Sequence, residues 1–110
     1  MEITIKKEGS VDIVEINGQL DVSGSQKAQE TIIPAITKGG KLVIDMARCD
    51  YVASSGLRAL LIIGKQSAQE DCETVLAGVR PLVWDVIVMT GFEDVLKAYP
   101  TQEDAIAALK

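Results

Sequence analysis

Apolar and polar positions along the 110 residues change period several times, and these changes divide the chain into elements. Glu2 to Lys6 alternates with period two and predicts a half-buried strand. Glu8-Gly9-Ser10 reads as a turn, and Val11 to Ile16 as a second strand hairpinned to the first. Its alternation slips between Ile13 and Val14, so a bulge or burial on both faces is expected. Asn17-Gly18 turns the chain. Ser23 or Ser25 then starts a helix with Ala28, Ile32, Ala35 and Ile36 on one face; Pro34 breaks it near Ile33, and Gly39-Gly40 ends it. Leu42 to Met46 has the composition of a buried strand. The sharpest break in the chain follows. Small and polar residues from Cys49 to Gly56 give way to a long apolar run, which predicts a loop and then a helix with Ser54 or Ser55 as N-cap.

Spacings of three and four assign the faces of that helix. Leu57, Leu60, Leu61, Gly64 and Ala68 form the core side, while Ser55, Arg58, Ala59, Ile62, Lys65 and Gln69 face water. Downstream, Val75 to Ala77 is a short buried strand. Pro81 occupies the first turn of a segment, Leu82 to Met89, that Gly91 stops; its β-branched residues make a strand the competing assignment. Val95 to Ala98 is the last strand. Thr101 caps a final helix, Asp104 stands at its capping-box position, and Ala105, Ile106, Ala108 and Leu109 supply the apolar face. Two opening strands followed by alternating helix and strand predict an α/β layer structure. It is a mixed, mostly parallel sheet with an antiparallel strand at the N-terminus, flanked by about four helices. The length suits one domain spanning residues 1–110.

Composition then removes functions. The formal charge of −5, with no basic stripe, argues against a nucleic-acid partner. The first ten residues hold no apolar stretch suited to export, and no run is long enough to span a bilayer, so a cytoplasmic protein with no membrane partner is expected. Cys49 and Cys72 lack metal or redox spacing and are expected as reduced core thiols. The absence of histidine removes a Ser-His-Asp triad and His-containing zinc sites. No P-loop or dinucleotide fingerprint occurs. A phosphoaspartyl receiver needs an acidic cluster at strand ends, and neither Asp21 nor Asp45 sits in an acidic pair. No enzyme, metal or cofactor is expected. What remains is the serine pair at the start of the central helix. A first helical turn carries free N–H groups and partial positive charge, and it tolerates a phosphate. The plain alternative is that both serines only cap the helix.

Three stretches resemble a known family. Ile16-Asn17-Gly18-Gln19-Leu20-Asp21 is similar to a "G-x-L-D" segment after a second strand. Asp50-Tyr51-Val52-Ala53-Ser54-Ser55-Gly56-Leu57 is similar to a "D-S-S-G-L" signature at a helix start, with Ala53 where that signature carries Asp. Pro81-Leu82-Val83 through Thr90-Gly91-Phe92 is similar to a later "P-x-V … S/T-G-L/F" stretch, which favours a helix there. Together they resemble the STAS domain of bacterial anti-sigma-factor antagonists. The resemblance implies a partner switch in transcription control. The unphosphorylated antagonist binds a serine kinase that also serves as anti-sigma factor, phosphorylation releases it, and a serine phosphatase resets it. It puts the phosphoacceptor on Ser55, with Ser54 as the alternative, and Asp21 and Gly56 near it. A non-phosphorylated STAS scaffold or regulatory binding module is the second reading. On the outward helix face, Arg58, Ile62 and Lys65 are the expected partner-binding residues. Ile62 stands out there as a large aliphatic between two cations, either an anchor with a polar rim or a side chain tucked under a loop.

Overall fold

The computed structural model describes residues 1–91 and 96–110. Five strands form one sheet in the order β1-β2-β3-β4-β5: Glu2–Glu8, Val11–Leu20, Lys41–Val52, Glu73–Ala77 and Lys97–Tyr99. β1 runs antiparallel to β2, and the remaining neighbours are parallel. The mixed, mostly parallel sheet with an antiparallel N-terminal strand is therefore present. Four α-helices occur among the described residues: α1 Val22–Ile32, α2 Ser54–Gln69, α3 Pro81–Met89 and α4 Gln102–Leu109. Each of α1, α2 and α3 connects one parallel strand to the next on the same face, as crossovers of one hand require.

Both faces of the central strands are buried, which explains the broken alternation of β2. Val14, Ile16, Leu20, Leu42, Ile44, Met46 and Leu76 meet α1, α2 and α3 on one face. Val11, Ile13, Val43, Val75 and Ala77 meet Ala105, Ile106 and Leu109 of α4 on the other. Cys49 and Cys72 are free and buried, and burial pushes the Cys49 thiol above its ordinary range.

Several boundaries differ from the sequence pattern. β2 continues through Asn17-Gly18, where a turn was expected; its register against β3 shifts there, so the two residues irregularly extend a ladder rather than reverse the chain. α1 starts at Val22, not at Ser23 or Ser25, because Asp21 is the N-cap and accepts from the Gly24 N–H at 2.8 Å. Ser25 instead donates its hydroxyl to the Asp21 carbonyl. Pro34 sits in a one-turn 3₁₀ segment, Ile33–Ala35, so the break near Ile33 is real. β3 runs six residues past Met46 and takes up most of the expected loop. Residues 81–89 are helical, which settles the competing strand assignment. β5 begins at Lys97; Phe92 and Val95 lie outside the described residues. Thr101 caps α4 by accepting from the Asp104 N–H, but Ala108 is exposed and does not join the apolar face.

Candidate functional site

The carboxyl ends of β2 and β3 and the N-termini of α1 and α2 meet at one edge of the sheet. The Ala53 N–H donates to the Leu20 carbonyl at 2.9 Å, so Asp21 and Ser54 flank a single hydrogen bond. This approach depends on Gly56. A Cβ there would lie 2.6 Å from the Leu20 carbonyl oxygen and 2.8 Å from both Leu20 Cβ and Val52 Cγ1, so only glycine lets the helix start this close to both strands.

Neither serine is the N-cap. That position belongs to Ala53, whose extended backbone (φ −78°, ψ 173°) ends β3, and no side chain caps the turn. The serines are the first two helical residues. Ser54 is exposed. The Ser55 hydroxyl is covered and has no hydrogen-bond partner among the described residues. The pair thus divides into one hydroxyl open to solvent and one turned inward, a distinction invisible in the sequence. Asp21 completes the edge. Its carboxylate takes the Gly24 N–H, with Ser23 donating at 3.2 Å, and these bonds hold it below its ordinary range.

Helical spacing carries the open surface away from Ser54 through Arg58, Ile62 and Lys65, all exposed. By spacing either serine could head this stripe with the three expected partner residues, but only Ser54 is exposed along with them. The face assignment needs three corrections. Ala59 is fully buried although it was expected outward, and Leu61 is half-buried although it was expected in the core. The buried side of α2 is Gly56, Leu57, Ala59, Leu60, Ile63, Gly64 and Ser67, a stripe rotated from the expected one by less than a residue's step of about 100°. Ala68, expected inside, is exposed.

The helix at α3 was expected, but its exposed apolar face was not. Val83 and Ile87 enter the core, while Leu82 (81% exposed), Val86 and Met89 (85% exposed) form an apolar stripe on the outside. The signal was present: the helix carries one charge, Asp85, in nine residues and is apolar on both sides. α3 also begins at the carboxyl edge, because it follows β4 as α2 follows β3.

The opposite face of the sheet holds a concavity of about 480 Å³ between Glu2, Thr4, Glu15, Asn17, Asp45 and Arg48, and none of the expected site residues lines it. Beside it, the Gln102 amide donates to both Glu15 and Asp45, at 3.1 and 2.8 Å. That bond, and Lys6 to a lesser degree, holds the Glu15 carboxyl below its ordinary range. Asp45 is thus tied to α4, within β3, and does not join Asp21 in an acidic pair. Among the described residues no helix is long and apolar enough to cross a membrane, and no acidic, cysteine or histidine cluster has the form of a metal site.

The family model described as STAS domain matches residues 2–105. A Bordetella bronchiseptica protein that carries the name anti-sigma factor antagonist BtrV is 30% identical, with the alignment covering 100% of this chain and 96% of that protein. The crystal structure of an anti-sigma factor antagonist from Mycobacterium paratuberculosis superimposes with a TM-score of 0.86 at 22% identity, covering 97% of this chain and 92% of that one. The Bacillus cell fate determinant SpoIIAA, solved in its phosphorylated form, superimposes with a TM-score of 0.76 at 19% identity, covering 99% and 100%.

Proposed function

This chain belongs to the STAS domain family, of the anti-sigma-factor-antagonist type, and we propose that it works as the antagonist in a phosphorylation-controlled partner switch. Unphosphorylated, it binds a serine kinase that doubles as anti-sigma factor. Phosphorylation on the first turn of α2 releases it, and a serine phosphatase restores it. The observation that carries this reading is Ser54, an exposed hydroxyl at an uncapped helix N-terminus, beside Asp21 and at the head of the Arg58–Ile62–Lys65 stripe. We place the acceptor on Ser54 and not on Ser55, because the Ser55 hydroxyl is covered and would have to rotate out before it met a kinase.

The modification acts by charge and not by unfolding. A phosphate adds about −1.5 to −2 charge where the free N–H groups and dipole of α2 favour it, so the fold tolerates it. A partner closed over the serine would have to desolvate that charge, at about 2–5 kcal/mol, which lowers affinity by about 30-fold or more. The test is incubation with MgATP and the cognate kinase, followed by intact mass and phosphopeptide mapping. One phosphate on Ser54, lost in Ser54→Ala and kept in Ser55→Ala, is the expected result. A phosphate on Ser55 would overturn the acceptor assignment. Tight binding to the kinase with no phosphate on either serine would favour the non-phosphorylated scaffold.

A further inference from the structure

The two edges of the sheet are protected very differently. β5 has three residues and runs directly into Pro100, which has no N–H to offer a further strand. β1 has seven residues and pairs with β2 in unbroken register, without bulge or proline. Its other edge is uncovered among the described residues: every β1 residue but Ile3 is exposed, and Ile5 is 46% exposed. Lysines are a usual guard of such an edge. Here Lys6 and Lys7 lean back onto β2, paired with Glu15 and Asp12 at 3.6 and 3.5 Å, and Glu2 and Glu8 add opposite charge to the strand.

From this strand we infer that β1 pairs antiparallel with β1 of a second copy of this chain, centred on Thr4, to give one continuous ten-stranded sheet. The warrant is self-complementarity of Glu2-Ile3-Thr4-Ile5-Lys6. In that register Glu2 faces the second copy's Lys6, Ile3 faces its Ile5, and Thr4 faces its Thr4; the two-fold axis repeats the first two pairs. Opposite charges, aliphatic pairs and Thr–Thr pairs are the favourable cross-strand combinations. Other registers lose this. Centring on Ile5 sets Glu2 against Glu8 and Ile3 against Lys7. Centring between Thr4 and Ile5 sets each isoleucine against a polar residue, because a one-residue slip exchanges the faces. Five paired residues a side is well below the area of a standard interface, so the association is weak and depends on concentration. β1 lies at the opposite end of the strand order from β5, so the pairing leaves the outer faces of α2 and α3 open.

The register dictates the experiment. Thr4→Cys places two sulfurs directly opposite, with Cβ atoms about 4.5–5.5 Å apart, at the edge of disulfide reach. Ile5→Cys places each sulfur opposite Ile3 instead. The native Cys49 and Cys72 are buried and do not compete. Under mild oxidation at high protein concentration, Thr4→Cys should accumulate covalent dimer and Ile5→Cys should not. Sedimentation equilibrium then tests the charges. Glu2→Lys and Lys6→Glu should each weaken dimerisation by about tenfold, since each creates two like-charge pairs. The double variant should restore it. A wild-type chain that stays monomeric at high concentration would overturn the inference, as would equal cross-linking of the two cysteine variants or a double swap no better than the singles. Far-UV circular dichroism on each variant separates loss of pairing from loss of fold.

Discussion

α2 and α3 each follow a parallel strand, start at the same edge of the sheet and bury one side in the same core, yet their outer sides differ in chemistry. α2 shows Ser54, Arg58, Lys65 and Gln69 to solvent, with Ile62 only 37% exposed among them. α3 shows Leu82, Val86, Val88 and Met89 around Asp85. A helix lying on a sheet needs one apolar side, and the second apolar side of α3 does nothing for the fold. Contiguous exposed apolar residues on a soluble domain mark an interaction surface more often than isolated ones do. If the proposed switch operates, this difference would divide its labour: the polar face of α2 would carry the modifiable serine, and the apolar face of α3 would supply contact area.

The largest effect should come from breaking the inner side of α2. Ile63→Asp buries a carboxylate with no partner and should lower stability by at least about 3 kcal/mol, read as a collapse of the urea midpoint. Leu61→Asp, at a half-buried position, should cost clearly less, and Ile62→Asp no more than about 1 kcal/mol. If Leu61→Asp unfolds as readily as Ile63→Asp, the stripe on α2 is misassigned. The next effect sharpens the contrast between outer faces. Leu82→Asp and Met89→Asp should each weaken binding to the kinase by about tenfold or more while leaving stability within about 1 kcal/mol. Ile62→Asp should weaken it less than either. A titration in which Ile62→Asp is the most damaging of the three would move the anchor back to α2.

Much of this arrangement was legible in the sequence. The element order followed from period changes, and the serine pair from its place between a strand and a helix, while Asp21 and Gly56 entered only through the family resemblance. Boundaries were less legible wherever a polar residue had two uses. Asn17-Gly18 has the composition of a turn but extends β2, because the neighbouring β3 is long enough to pair with it. Ser54 and Ser55 are good N-caps, yet Ala53 holds that position because its N–H is committed to the Leu20 carbonyl. Leu61 and Ala59 exchanged faces since spacing gives a stripe's width but not its rotation about the axis, which the neighbouring α1 and the sheet decide. The outer face of α3 was hidden by its own uniformity: a segment apolar all round predicts burial and says nothing of which side stays out.

The smallest effect distinguishes the two helix starts themselves. Asp21 stands beside the start of α2, and no carboxylate caps α3, whose first turn begins with Arg80 and Pro81. The Gly24 N–H, and secondarily Ser23, favour the ionised form of Asp21 in the fold, so its folded pKa lies below its unfolded one. A depressed carboxylate contributes stability above its unfolded pKa of about 3.9 and loses that contribution as pH falls through the folded value. Asp21→Asn keeps an oxygen to accept from Gly24 but has no charge to titrate. The stability advantage of the wild type over Asp21→Asn should therefore be constant near neutrality and shrink as the solution is acidified below about pH 4, in urea titrations at fixed salt. Asp21→Ala should be the least stable of the three near neutrality, since it removes the cap as well. None of these changes touches α3, so affinity of the unphosphorylated protein for its partner should stay close to wild type at neutral pH. A large loss of affinity in Asp21→Asn, with stability unchanged, would mean that the carboxylate meets the partner directly and that the division between the modifiable edge and the binding face is too sharp.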